Sequence, residues 1–330
     1  MDPKECKLTL IGYSHEHKGY RFIDRENDSV VISRDARFIE LGNGTSSVEL
    51  PVSEDQSSSA DQCLYVKGVG EDRVFLLVYV DDILLASKNN VDIKRIYDSL
   101  NNVFKLTCLG EILHFLGLEV KRENGVLPIR LKQYIDKLVA VNGMHDAKTA
   151  KSPMNSGYLN EVDNSELLKD NTKYRSLVGG LLYLSVIARS DIAASTVILG
   201  RRVAAPSEAN WTAVKRVLRY LKLTREYYLR LGGASEEPLV GYSDADWAGD
   251  PESRRSTSGA VFFYAGGTIS WASRRQSCVT LSSMEAEFVA LSEACQETIW
   301  LRQLLPDFGE DQTQHTEIRE DNQGCLTMLE

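Results

Sequence analysis

Gly241-Tyr242-Ser243-Asp244-Ala245-Asp246-Trp247-Ala248-Gly249, Leu281-Ser282-Ser283-Met284-Glu285-Ala286-Glu287-Phe288-Val289-Ala290-Leu291 and Asp321-Asn322 decide how the last third of this chain reads. The apolar run 239–243 reads as a strand that ends in Asp244. Strands at 259–264 and 268–273 follow, with Gly266-Gly267 as the hairpin turn between them. A long helix spans 282–305, with Ser282 or Ser283 as its N-cap and Glu287 in its first turns. A strand at 317–320 ends in Asp321, before a helix over 322–329. Strand ends and a helix start can bring three carboxylates together. Such a cluster repels itself unless cations bind. Oxygen donors favour Mg²⁺ or Mn²⁺, and two ions about 3.5–4 Å apart can activate water and stabilise a leaving oxygen. Spacing alone leaves the blander reading open, that these are turn residues and helix N-terminal charges.

The helix phase predicts an apolar stripe of Met284, Phe288, Leu291, Cys295 and Ile299, flanked on either side by Glu285 and Glu287. Phase therefore does not choose between them. Ala290 and Ala294 lie on the Glu287 side, where small residues permit close approach to a sheet. Asp246 is the alternative to Asp244, as Glu285 is to Glu287.

These three stretches, in this order, resemble the RNase H domain of copia-type LTR retrotransposons, over nearly all of 238–330. The resemblance implies the RNase H fold, a mixed sheet with helices, acting on RNA in an RNA·DNA hybrid. It implies Asp244, Glu287 and Asp321 as catalytic metal ligands for Mg²⁺ or Mn²⁺. The family's Glu-x-x-Ala pattern falls on Glu287-Phe288-Val289-Ala290 and favours Glu287. RNase H domains carry a fourth carboxylate further along, so a C-terminally truncated domain is expected here.

A second constellation is Tyr79-Val80-Asp81-Asp82, between Phe75-Leu76-Leu77-Val78 and Ile83-Leu84-Leu85. Two adjacent aspartates at the tip of an apolar hairpin are costly unless solvated or bound to metal. An ordinary Asp-Asp turn is the plainer alternative. The segment resembles the palm motif of reverse transcriptases. The likeness runs on through Asp61-Gln62-Cys63-Leu64-Tyr65-Val66-Lys67, Leu109-Gly110-Glu111, Phe115-Leu116-Gly117-Leu118-Glu119-Val120, Gln133-Tyr134, Tyr174-Arg175-Ser176-Leu177-Val178-Gly179, Arg189-Ser190-Asp191-Ile192-Ala193 and Arg219-Tyr220-Leu221. These are copia-type landmarks over roughly 61–230, with Ser190 where the family usually has Pro and Asn210 where it usually has His. The resemblance implies Asp81 and Asp82 as catalytic metal ligands. The fold class expected is α/β in the α+β multidomain sense: a partial palm with a helical thumb and connection, then the RNase H-like sheet.

Residues 8–40, with Gly12-Tyr13-Ser14, Lys18-Gly19-Tyr20-Arg21 and Ser33-Arg34-Asp35, resemble the SH3-like segment that follows integrase in the same polyproteins. The domain reading is therefore an SH3-like remnant over 1–42, a disordered polar linker over 43–60, partial reverse transcriptase over 61–235 and RNase H over 236–330. A polymerase needs a third aspartate on an earlier palm strand, which the Ser-rich stretch before Asp61 does not supply. An internal deletion or mis-joined gene, with polymerase activity lost, is expected. The alternative is a non-catalytic remnant, decayed or kept as a nucleic-acid binder.

The whole chain bounds these readings. It has 330 residues, a hydrophobic fraction of 43% and a formal net charge of −9. That charge excludes a simple electrostatic nucleic-acid binder but not an enzyme that reaches phosphates through metal ions. The expected partners are nucleic acid as RNA·DNA hybrid and an intact polymerase copy, with no membrane. Apolar runs at 74–80 and 83–86 are too short for a bilayer. The first six residues carry no apolar leader. Six scattered cysteines, without metal spacing, read as reduced and partly buried. The expected setting is the cytoplasm, a virus-like particle or the nucleus. On helix 207–221 the basic face of Lys215, Arg216, Arg219 and Lys222 reads either as solvated or as lying along phosphates. Arg254-Arg255 and Arg274-Arg275 carry the same two readings.

Overall fold

The computed structural model describes residues 9–13, 20–24, 29–33, 57–160, 162–233, 235 and 237–329. The chain divides into two compact units. One comprises Met1–Cys108 with Pro306–Glu310, the other Leu109–Leu305 with Asp311–Glu330.

In the first unit, β1 (Thr9–Tyr13), β2 (Tyr20–Asp24) and β3 (Ser29–Ser33) form an antiparallel meander. The polar stretch 43–56 lies outside the described residues. Just after it, Ser58 is buried, and its Oγ accepts the Ala60 and Asp61 N–H groups at 3.0 Å. A second antiparallel sheet has the order β4 (Leu64–Lys67), β5 (Val74–Tyr79), β6 (Asp82–Ser87). Strand periodicity turns Val74 and Leu76 inward. Helix α1 (Asn90–Asn101) covers them with Ile96 and Leu100. Burying each such side chain stabilises by about 1.5–3 kcal/mol. The Asn89 side chain caps α1 by accepting the Val91 N–H at 2.9 Å. Tyr79 pairs with Asp82, so the turn is Val80-Asp81, one residue earlier than the sequence suggests. Val80 takes φ +58° there, a conformation that β-branched residues rarely adopt.

The second unit opens with β7 (His114–Phe115), β8 (Leu118–Val120) and β9 (Val126–Arg130). Helices α2 (Lys132–Val141), α3 (Thr172–Ile187), α4 (Ala193–Gly200) and α5 (Glu208–Leu223) come next. Strand β10 (Leu229–Gly232) then returns to pair with β9, at the end of a region expected to be mostly helical. Four residues of Leu-Arg-Leu-Gly carry too little pattern to announce a strand. The pairing is supplied by a partner a hundred residues away. The helices share one core: Ile135 and Val139, then Tyr174, Leu177, Leu181 and Leu184, then Leu199, Val214, Leu218 and Leu221. Ser207 and Asn210 make a reciprocal capping box at the start of α5. Asn210 therefore has a structural role at the position where the family pattern has His.

The basic face of α5 makes contacts within its own unit. Arg216 Nη2 donates to Ser152 Oγ at 3.0 Å and Lys222 Nζ to the Ala147 carbonyl at 3.0 Å. Arg219 Nε donates to the Lys148 carbonyl, and Lys215 sits over the Trp211 ring. Three of the four cations thus fasten the segment 147–152 to the helix. The Arg189-Ser190-Asp191 landmark is also structural. Arg189, 3% exposed, forks onto Asp191 at 2.8 and 2.7 Å and donates to Thr224 Oγ1 at 2.6 Å, clamping the end of α3 to the end of α5.

The C-terminal sheet runs β13 (Gly267–Arg275), β12 (Thr257–Tyr264), β11 (Val240–Asp246), β14 (Glu317–Arg319). Only the β11–β14 pair is parallel, so the sheet is mixed, as the RNase H resemblance implies. Its hairpin turns on Ala265-Gly266, at φ +49° and +73°, rather than on Gly266-Gly267. Helix α6 (Ser283–Leu304) packs on the sheet, and the short α7 (Gln323–Leu329) follows β14. The helix keeps Leu291 of the expected stripe in the core but turns most of the rest of the stripe away. Ala286, Glu287, Ala290, Leu291, Ala294, Thr298 and Leu301 are buried, whereas Phe288, Cys295 and Ile299 are exposed. A helix that approaches a sheet closely wants small side chains at the contact, so the alanines win over the larger residues. The cysteines also depart from expectation. Cys63, Cys108, Cys278 and Cys295 are exposed, and Cys325 alone of the described five is buried. Among the described residues no helix is long and apolar enough to cross a membrane.

Candidate metal centre

Strand β11 brings Asp244 to its place through a backbone packed to contact. A Cβ added at Gly241 would lie 2.6 Å from the Phe262 ring, so only glycine lets the strand lie this close to its neighbour. On α6, Ser282 is the N-cap, accepting the Glu285 N–H at 3.2 Å, while Glu285 reaches back to accept the Leu281 N–H at 2.7 Å. That capping duty occupies Glu285. Glu287, two residues on, is 6% exposed on the buried face of the helix. Asp321 follows β14.

Asp244, Glu287 and Asp321 each offer a carboxylate oxygen, and the three oxygens lie within 4.8 Å of one another. Asp244 and Asp321 are exposed to solvent and Glu287 is buried. Asp246 is directed elsewhere, over Gly249. Burial, then the charges of Glu320, Asp244 and Asp321, push the Glu287 carboxyl up to about 7. The Ala245 N–H, which donates to it, opposes that rise. Glu287 Oε2 is buried without a hydrogen-bond partner. An orphaned carboxylate oxygen among like charges is what a cation would satisfy, and an all-oxygen donor set suits Mg²⁺ or Mn²⁺. The residues present therefore fit a divalent cation.

Glu320 went unnoticed in the sequence. Its Oε2 is likewise buried and without a partner, while its Oε1 accepts the Asn322 N–H at 3.0 Å. Period-two alternation was the signal. Ile318 packs inward on the sheet core, and Glu320 is two residues further along the same strand direction.

Asp81 and Asp82 lie in the first unit, both exposed at the tip of the β5–β6 hairpin. Among the described residues no third carboxylate, His or Cys joins them in a ligand group. Of the basic pairs, Arg275 is bound to Asp250 at 3.1 Å, and Arg254, Arg274 and Arg275 are all exposed.

Comparison with known proteins bears on the whole chain. A reverse transcriptase (RNA-dependent DNA polymerase) family model matches residues 47–156, and a retroviral polymerase SH3-like domain model matches residues 1–51. The retrovirus-related Pol polyprotein from transposon TNT 1-94 of Nicotiana tabacum is 35% identical over 268 residues, 78% of this chain and 20% of that protein. The secreted RxLR effector protein 161 of Plasmopara viticola is 53% identical over 131 residues, 40% of this chain and 92% of that protein. The uncharacterized mitochondrial protein AtMg00810 of Arabidopsis thaliana is 34% identical over 227 residues, 69% of this chain and 94% of that protein. No solved structure matches the chain. The chain spans about a fifth of the length of the Pol polyproteins it matches. With an SH3-like match abutting a reverse transcriptase match, and Pol likeness extending over most of its length, the chain belongs to the copia-type family of retrotransposon Pol polyproteins.

Proposed function

We propose that the second unit cuts the RNA strand of an RNA·DNA hybrid at Asp244, Glu287 and Asp321, in a chain whose family makes DNA from RNA. The observation that carries this reading is Glu287, buried, with an unpartnered oxygen, within 4.8 Å of two solvent-facing aspartates. A divalent cation held by the three carboxylates supplies water activation and leaving-oxygen stabilisation. The chain's own groups do the rest. Asp244 and Asp321 face the solvent side, where a phosphodiester would lie. Glu287 closes the centre from the helix side, its carboxylate oriented by the Ala245 N–H. Ala286, Ala290 and Ala294 keep that helix close to the sheet.

The first unit supports a second reading, for polymerisation only. Asp81 and Asp82 stand without a third acidic ligand among the described residues, and the SH3-like match runs straight into the reverse transcriptase match. We propose that this chain does not polymerise alone and depends on an intact copy for that step.

The test is cleavage of an end-labelled RNA·DNA hybrid by the purified chain in Mg²⁺ or Mn²⁺, beside Asp244→Asn and a chelated control. Cleavage that needs the metal and vanishes in Asp244→Asn is the expected result. A folded chain that binds hybrid without cutting it leaves the non-catalytic remnant as the correct reading.

A further inference from the structure

Trp247 stands at the turn that ends β11, three residues past Asp244, and is 46% exposed. Its ring is held in place. The indole Nε1 donates to the Thr280 carbonyl at 3.2 Å. Thr280 is buried, while its neighbours Val279 and Leu281 are both exposed. The turn and the segment before α6 are laced together underneath. Ser256 Oγ accepts the Ala248 N–H at 3.0 Å and meets Thr280 Oγ1 at 2.9 Å, and the Ser256 carbonyl accepts the Gln276 N–H at 2.9 Å. A single exposed apolar residue needs no explanation, but three on one fixed ledge mark a binding surface. With its only polar atom bonded to Thr280, the indole has its flat face left to offer, which suits the C–H faces of sugars and bases. The ledge is continuous with the carboxylate centre at both ends. Trp247 follows the strand that carries Asp244, and Leu281 precedes Ser282, the N-cap of the helix that carries Glu287.

The same end of the sheet holds cations. Ala245 pairs with Ser258, and Ser258 with Arg274, in one row across three strands. That row spans two strand spacings, about 10 Å, which a few nucleotides cover at about 3.4 Å each. Arg254 lies in the loop that leads into β12, where its N–H donates to the Asp250 carbonyl at 2.8 Å. Arg254 and Arg274 are exposed, and among the described residues neither pairs with a carboxylate, although the chain carries a net charge of −9. Exposed guanidinium groups left unpaired beside an acidic centre suit a polyanion. A second copy of so acidic a chain suits them less.

We propose that Trp247, with Val279 and Leu281, is an apolar ledge that bears on the sugar edge of the RNA·DNA hybrid, while Arg254 and Arg274 hold phosphates of its backbone. The proposal rests on the reading of Asp244, Glu287 and Asp321 as the site that cuts the hybrid. It adds the residues that position the hybrid there.

Binding decides it, measured apart from cutting. A labelled RNA·DNA hybrid is titrated with the full chain in chelator, over a range of salt, following anisotropy and indole fluorescence. Circular dichroism checks that each variant is folded. Trp247→Ala should weaken binding on the order of 10- to 100-fold with the salt dependence unchanged, and Trp247→Phe should recover most of it. Arg254→Gln and Arg274→Gln should each lower the slope of log affinity against log salt by about one. The hybrid should quench the indole fluorescence of the unaltered chain more than that of Trp247→Phe. Trp247→Ala with unaltered affinity overturns the proposal, and the metal centre stands if cutting in Mn²⁺ still vanishes in Asp244→Asn. A dimer in sedimentation that Trp247→Ala dissolves, with hybrid affinity unchanged, overturns it in favour of a second copy. Trp247-dependent binding without cutting in Mn²⁺ upholds the ledge and sinks the cutting. A folded chain that binds no hybrid overturns both.

Discussion

Arg275 Nη1 lies 3.1 Å from Asp250 Oδ2, and this pair ties the end of β13 to the loop that follows β11. Asp250 is 6% exposed. Its other oxygen accepts the Glu252 and Ser253 N–H groups at 3.1 and 3.4 Å. Burial by itself would raise the Asp250 carboxyl, but the Arg275 guanidinium and the Ser253 contacts outweigh it and hold it at about 2, below the ordinary 3.8. A depressed carboxyl stabilises the fold at pH above its ordinary value. The contribution drains away as pH falls through the folded value. Because Arg275 is partly exposed, about 1–2 kcal/mol is expected at neutral pH. Asp250→Asn should lower stability by that amount near pH 7 and by nothing below pH ~2. Tryptophan fluorescence reports it cleanly, since Trp211, Trp247, Trp271 and Trp300 all lie in the second unit. An Asp250→Asn deficit that is the same at both pH values would refute the assignment.

Glu287 has the opposite sign. Its carboxyl sits at about 7 against an ordinary 4.5, so ionising it inside the fold is unfavourable. The burden is absent below pH 4.5, grows through the interval and is complete above about 7. With a chelator present, Glu287→Gln should be more stable than the unaltered chain by about 2–3 kcal/mol at pH 8. The two should be equal near pH ~4. Adding Mn²⁺ should stabilise the unaltered chain more than the variant. Thermal melts at both pH values, with and without metal, check this. A variant that is less stable at pH 8 would mean that Glu287 is structural.

Val80, at φ +58° and 60% exposed, buries little in return for its backbone conformation. A left-handed conformation costs a non-glycine residue roughly 1–2 kcal/mol, and glycine gives back about half of that in unfolded-chain entropy. Val80→Gly should therefore stabilise the β5–β6 hairpin by about 0.5–1 kcal/mol. Amide exchange at Leu77 and Leu84, which pair across the hairpin, should slow accordingly. Faster exchange would show that the strain is needed to hold the hairpin tip.

Much of this was legible in the residues, for local reasons. Ser207 and Ser282 declare helix starts because a side-chain oxygen beside unpaired amides is a short-range device. The period-two runs at 74–79 and 240–246 declare strands for the same reason. Where sequence reading failed, a non-local contact outweighed the local pattern. Phe288 and Ile299 look like core residues until the sheet demands alanines at the contact. Lys222 and Arg219 read as a solvated face or a phosphate face, and the bonds they make to the carbonyls of 147–148 are visible only in the fold. Strand β10 exists because β9 is there to receive it. At the centre, Asp244, Glu287 and Asp321 could be picked out by position. Helix phase left Glu285 and Glu287 level and the Glu-x-x-Ala resemblance favoured Glu287; the Leu281 amide then gives Glu285 a duty of its own, while Glu320 needed the parity of Ile318.

Gly241 carries a consequence for how such an element ages. Sequences that multiply by error-prone copying collect single-base changes, and glycine to alanine is one of them. At position 241 the added methyl would lie 2.6 Å from Phe262 and force apart the two strands whose spacing sets Asp244. Every carboxylate would survive such a change on paper while the one beside it was pushed out of reach. Inventories of intact copies that count only acidic residues would score that lineage as living. A glycine with no chemistry of its own, three residues before Asp244 on the same strand, is the better marker of when it fell silent.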